Sequence, residues 1–206
     1  NNSNDKGIYY FSGAELNKRS QIRSAAIVYH ELLPGHHFQM NLAAEDNRLT
    51  DVCRYHFNTA YADGWAEYCA DFANEIGMYA PYDLYGRYLW DLILSTRLVV
   101  DTGINYLGWS LEKVREFMRD NTSLTEMEIK TESLRYSVDM PGQALAYKMG
   151  SIKMHELRKK SQLKLGEKFD VKDYHENVLE MGSIPLDVLE RHVEEKNNSI
   201  LKGENI

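Results

Sequence analysis

Residues 30–37 read His30-Glu31-Leu32-Leu33-Pro34-Gly35-His36-His37, three histidines and a glutamate within eight positions. They end a segment from about Gln21 in which Ile22, Ala25, Ala26, Tyr29 and Leu33 recur at three- and four-residue steps, the pattern of one buried helix face. A helix carrying His-Glu-x-x-His holds zinc through two imidazoles one turn apart, with the Glu as general base. Here Pro34 stands where the second His belongs. In an unbroken helix His36 would lie about 9 Å beyond His30, at ~1.5 Å per residue, and face roughly 240° away. His37 would face within about 20° of His30 but lie further along still. Pro34 cannot donate to the His30 carbonyl and disfavours helical geometry at Leu33, while Gly35 opens conformations closed to other residues. A break at Leu33-Pro34-Gly35 is therefore expected to swing a later histidine round to the His30 side. His36 is the preferred partner and His37 the alternative. The competing reading is a polar helix end near the surface.

Such a site needs a carboxylate from a second helix. Residues 59–72 carry Asp63 and Glu67 four positions apart, hence on one face, with Trp65, Cys69 and Phe72 on another. One acid can be a ligand and the other a carboxylate that orients a ligating His. The pair can equally form an exposed acidic stripe.

Working outward, the chain reads as helices. One is expected over about Asp51–Ile76, ended by Gly77. Another is expected over Tyr82–Val100, with Tyr85, Leu89, Leu92, Ile93 and Thr96 facing inward. Ser110 can cap the next, and Ser123-Leu124-Thr125-Glu126 is a capping-box pattern for the one after. Pro141-Gly142 ends that helix, and a long one follows from Gln143 to about Leu163. Asp173 is a candidate cap for a short helix ending at Gly182, and Pro185 suits the first turn of the last. Ile8-Tyr9-Tyr10-Phe11 is a candidate strand or extended arm. The expectation is an all-α, multi-helix fold with at most one short N-terminal β segment. It is read as a single helical domain over 1–206 with a frayed tail over 197–206.

The balance of 43% hydrophobic and 27% charged residues is that of a globular chain able to bury a core. The net charge of −7 argues against nucleic acid as a partner, since that affinity comes from Lys and Arg on phosphates. Cys53 and Cys69 make no disulfide framework. No apolar run approaches the ~20 residues of a membrane span.

His-Glu-x-x-Pro-Gly-His-His followed by Asp63-Gly64-Trp65-Ala66 resembles the bacterial family carrying "domain of unknown function 885". The resemblance continues through Arg97–Ile104, Arg135-Tyr136, Pro141–Gly150, Phe169-Asp170, Tyr174-His175 and Gly182–Leu186. It implies a zincin-like zinc metallopeptidase of the gluzincin type, often described as a lipoprotein. It implies also that this chain is the C-terminal catalytic portion of a longer protein, whose N-terminal region packs on it. A cell-envelope or extracellular location follows from the resemblance, with the cytoplasm as the other option. The resemblance carries His30 and His36 over as zinc ligands and Glu31 as general base. The third ligand falls at Asp63, where the family has Glu, so that Glu67 is the alternative closing ligand. Asn105 stands where the family often has His.

The expected chemistry is hydrolysis of a peptide substrate by metal-activated water, with Glu31 moving the proton. Tyr136, Tyr147 and His175 are candidate donors to the oxyanion. Arg97 and Arg135 are candidates to hold a substrate carboxylate. The competing functions are a non-catalytic or degenerate helical module that binds peptides or partners, and a metal hydrolase acting on another amide or an ester.

Overall fold

A computed structural model describes residues 7–11, 13 and 20–203. Among them the chain is all-α: α1 (Ser24–Glu31), α2 (His36–Glu45), α3 (Asp51–Tyr55), α4 (Thr59–Glu75), α5 (Pro81–Asn105), α6 (Leu111–Asn121), α7 (Glu126–Leu134), α8 (Gln143–Leu165), α9 (Val171–Leu179) and α10 (Leu186–Lys202). A π-helical turn, Arg135–Asp139, extends α7, and a 3-10 turn, Gly166–Lys168, follows α8.

The organising element is α4. Every residue from Tyr61 to Ala70 is buried, Asp63 and Glu67 included, so the acidic pair is not a solvated stripe. One side of α4 joins Met154 and Leu157 of α8, Tyr174 and Val178 of α9, and Leu189 and Val193 of α10 around Tyr61, Trp65 and Tyr68. Paired glycines let α4 and α8 approach at backbone distance. A Cβ on Gly64 would come within 2.5 Å of Gly150, and one on Gly150 within 2.0 Å of the Ala60 carbonyl. A second cluster, with Val100, Val114, Met118, Ile129 and Tyr136, joins α5, α6, α7 and the π turn.

Local chemistry explains the element boundaries. Pro81 opens α5 at its first turn, where a missing N–H costs nothing. Ser110 caps α6 as expected. The capping box of α7 is Thr125 with Glu128, not a box begun by Ser123. Asp170, not Asp173, caps α9, accepting from the Lys172 N–H.

Several expectations are corrected. The helix expected over 51–76 is two, because His56-Phe57-Asn58 is non-helical and Asn58 starts α4 afresh by accepting from the Tyr61 N–H. Tyr85 and Leu92 of α5 face outward, at 57% and 45% exposure, and only Ile93 and Thr96 of the expected inner face are fully buried. Residues 8–11 are exposed and form no strand. Ser12, expected to end that run, lies outside the described residues. The expected frayed tail is helical through Lys202. Asn197 in it is buried and donates to the Ser161 hydroxyl at 2.9 Å, tying α10 to α8. Residues 204–206 of that tail lie outside the described residues.

Candidate metal centre

The bend after α1 assembles the site. α1 stops at Glu31, Leu32–Gly35 are non-helical, and α2 restarts at His36. The chain turns back on itself so tightly that a Cβ on Gly35 would fall 1.8 Å from the His30 carbonyl oxygen. Only glycine fits such a contact with backbone. The Pro34 carbonyl is held from α4, accepting from the Trp65 indole N–H at 3.1 Å and from the Cys69 thiol at 3.4 Å. Helix α4 thus secures the bend and supplies the acids beside it.

The turn brings the His36 ring edge-on to the His30 ring, with centres 4.6 Å apart. Asp63 Oδ1 lies 3.7 Å from His30 Nε2 and 3.3 Å from His36 Nε2. His30, His36 and Asp63 form a group able to offer one ligand atom each, all within 4.8 Å of one another. Ligands about 2.1 Å from a tetrahedral zinc stand about 3.4 Å from each other. These two separations straddle that value and the third lies within 4.8 Å, so the donor set can accommodate a metal ion of zinc's size. The aspartate reaches both imidazoles despite its shorter side chain. His37 is turned away, exposed and in contact with the Asn41 amide at 3.2 Å.

Glu67 does not join this group. It is fully buried, and its carboxylate accepts from Trp90 Nε1 at 2.8 Å and pairs with Arg87 Nη1 at 2.7 Å. His30 Nδ1 lies 2.8 Å from Glu67 Oε1. The approach is oblique, off the line of the N–H, so His30 Nδ1 has an ion-pair contact without a well-directed hydrogen bond. Burial alone would lower the His30 pKa; Glu67 first, then Glu31 and Asp63, outweigh it and hold the imidazole above its ordinary value. Burial likewise opposes ionisation of Glu67, and His30, Arg87 and Trp90 together keep its pKa below the usual value. Glu67 thus stands at the Nδ1 side of the His30 ring, leaving Nε2 on the side of His36 and Asp63.

Behind Glu67 the charges continue. Arg87 also donates to Asp71 at 2.9 Å, and Asp71 accepts from His155 Nε2 at 2.9 Å. Lys148 pairs with Asp91.

The three candidate oxyanion donors part company. Tyr147 stacks on His30, with ring centres 6.0 Å apart and planes 18° from parallel. Its oxygen accepts from Gln143 at 3.0 Å and Arg135 at 3.4 Å, which leaves its own proton to donate. Tyr136 is buried, with its hydroxyl donating to Glu132 and accepting from Arg97 at 2.8 Å. His175 contacts Trp65, Tyr68 and Phe72, and its Nε2 lies 2.7 Å from the Tyr68 hydroxyl. Those positions face roughly 150° away from Asp63 and Glu67 around α4. His175 is therefore a packing histidine on the far side of the helix. Glu31 is half-buried beside His30, and its carboxylate makes no hydrogen bond or ion pair among the described residues.

Residues 1–193 match the family described as "Bacterial protein of unknown function (DUF885)". The chain belongs to the DUF885 family. Among solved structures it is similar to a candidate lipoprotein from Colwellia psychrerythraea, 36% identical over 87% of this chain with a TM-score of 0.84. It also shares its fold with a candidate lipoprotein of unknown function from Shewanella oneidensis, 24% identical over 81% of this chain with a TM-score of 0.73. The chain spans 31% and 30% of those two proteins. No curated protein matches it. No helix among the described residues is long and apolar enough to cross a membrane.

Sequence reasoning missed Arg87, Trp90 and Asp71, which stand behind Glu67 in this DUF885 chain. Asp71 continues the four-residue spacing of Asp63 and Glu67 and could have been read with them. Arg87 and Trp90 lie on α5 with no local pattern that singles them out.

Proposed function

We propose that this chain carries the catalytic centre of a zinc-dependent hydrolase acting on peptide bonds. The observation that carries the reading is the convergence of His30 Nε2, His36 Nε2 and Asp63 Oδ1 at tetrahedral spacing, with Glu67 behind His30. Zinc held there would supply a Lewis acid and lower the pKa of water toward ~7. Glu31, which makes no hydrogen bond or ion pair among the described residues, would take the proton of the attacking water and return it to the leaving amine. Tyr147 donates to the carbonyl oxygen as it gains charge. Glu67, with Arg87 and Trp90, holds the His30 ring. The description of the Colwellia protein as a candidate lipoprotein supports a cell-envelope location as part of this proposal.

The test uses the purified full-length protein. Elemental analysis is expected to give one zinc per chain, with His36→Ala and Asp63→Ala losing it. Glu31→Gln is expected to keep the zinc and lose hydrolysis of a peptide library. A protein that takes up no zinc overturns the proposal. A zinc-loaded protein that hydrolyses no peptide or ester favours a binding module built on a catalytic scaffold.

A further inference from the structure

We propose that Arg135 anchors a free C-terminal carboxylate of the substrate, so that cleavage falls within one or two residues of the peptide's C-terminus. The inference rests on the hydrolase reading above and names the substrate class of that site.

Two arginines lie beside Tyr147, and the structure separates them. Arg97 is buried, with its guanidinium committed to the Tyr136 hydroxyl and, at 2.8 Å, to Glu132. It also lies 5.0 Å from the centre of the Tyr147 ring and 5.4 Å from that of Trp90. Its charge is spent. Arg135 is different. Its side chain is 29% exposed, and its nearest carboxylate oxygen, on Glu132, is 3.6 Å away. Arg135 meets Glu132 through Oε1 while Arg97 and Tyr136 hold Oε2, so one carboxylate is shared between two arginines. Its other side-chain partners among the described residues are neutral oxygens, those of Gln143 at 2.9 Å and Tyr147 at 3.4 Å. A guanidinium has five N–H donors in a planar fork suited to a carboxylate, and Arg135 has only the distant Glu132 as a charged partner among the described residues.

Its placement gives this cation a use. Arg135 opens the π-helical turn, a geometry found mostly as single-turn insertions in α-helices and frequently at functional sites. Gln143 and Tyr147, one turn apart at the start of α8, hold the guanidinium against the Tyr147 hydroxyl. The Tyr147 ring in turn stacks on His30. One tyrosine therefore has the proposed zinc ligand His30 against its ring and, at its oxygen, an arginine with donors to spare. A residue spans at most about 3.6 Å of extended chain. With Arg135 linked to His30 only through Tyr147, a carboxylate on Arg135 would leave one or two residues before a carbonyl beside the Tyr147 hydroxyl and a metal held by His30. Water adds across that bond, hydroxyl to the carbonyl carbon and proton to the amine. The products are a shortened peptide acid and a free C-terminal amino acid or dipeptide.

The experiment compares N-acetyl-trialanine with its C-terminal amide, using the full-length protein. Hydrolysis is followed with the zinc-loaded enzyme, and binding is measured by calorimetry on the Glu31→Gln variant. The acid is expected to bind at least about tenfold tighter than the amide, the range for a hydrogen-bonded charge pair. The same preference is expected in KM. Arg135→Gln should remove it, and Arg135→Lys should keep part of it. Equal binding of acid and amide overturns the proposal, as does a preference that survives in Arg135→Gln. If neither peptide is cleaved while the acid still binds preferentially, the hydrolase reading fails and the carboxylate site stands. If both are cleaved equally, the hydrolase reading stands and the carboxylate site fails.

Discussion

Gly35 rests against the carbonyl of His30 at a distance no side chain tolerates: a Cβ would sit 1.8 Å from that oxygen and 2.5 Å from the Tyr29 carbonyl. This contact turns His36 back toward His30. Gly35→Ala must open the bend, because the obstruction is backbone and cannot rotate away. The expected result is loss of about 1–3 kcal/mol or more of stability, the range for overpacking in a tight site, and loss of stoichiometric zinc. Denaturant unfolding and metal analysis of the variant check both. A stable variant with one tightly held zinc would contradict the role given to the bend.

Glu67 is the hub of a buried charge network, facing His30, Arg87 and Trp90 with no exposure to solvent. Glu67→Gln keeps the size and removes the charge. Breaking a buried pair by neutralising one partner costs on the order of 3 kcal/mol, softened here because Arg87 retains Asp71. Zinc affinity should fall by about 10- to 100-fold through the loosened His30. Unfolding of the metal-free protein and chelator competition measure the two effects. Unchanged zinc affinity would mean that Glu67 is only a structural counter-ion.

Tyr147→Phe and Tyr136→Phe should behave oppositely. Removing the Tyr147 hydroxyl is expected to lower kcat by about 10²- to 10³-fold, the loss of one oxyanion donor, with zinc content unchanged. Removing the buried Tyr136 hydroxyl is expected to cost about 1–2 kcal/mol of stability, since Arg97 and Glu132 lose a partner. Steady-state kinetics beside thermal melts decide it. A Tyr147→Phe enzyme with normal kcat would remove that residue from the chemistry.

His175 should matter for acid stability and not for turnover. Burial first, and then nearby Arg158, depress its pKa from the ordinary 6.5 to about 4. Between those values the unfolded chain binds a proton that the folded chain refuses, so stability falls as pH drops from 6.5 toward 4. In His175→Gln the decline in urea midpoint from pH 7 to pH 5 should be shallower than in the parent. An equal decline would mean that His175 is not the group responsible.

Much of the fold was legible because its signals are local. The breaks at Pro34-Gly35 and Gly77, the Ser110 cap and the long periodic helix after Gln143 each depend on residues a few positions apart. The same local reasoning predicted that a break at Pro34-Gly35 would bring a later histidine to the His30 side, with His36 preferred and His37 as the alternative, and it is His36 whose ring lies beside His30. The choice between Asp63 and Glu67 was not legible. It depends on Arg87 and Trp90, some 20 residues along on another helix, which claim Glu67. The same is true of Tyr136 and His175. Each lies in a family-like stretch, but packing turned one into a buried clamp and the other onto the far face of α4. The split of residues 51–76 was missed because Asn58, a cap, was read as part of one continuous helix.

The most direct test of the metal centre is an anomalous-scattering map at the zinc edge from crystals of the full-length protein grown with zinc. A single strong peak is predicted about 2.0–2.2 Å from His30 Nε2, His36 Nε2 and an Asp63 oxygen, with Glu67 outside the coordination sphere. A peak on His37 or on Glu67, or no peak in a crystal with these side chains well ordered, would contradict it.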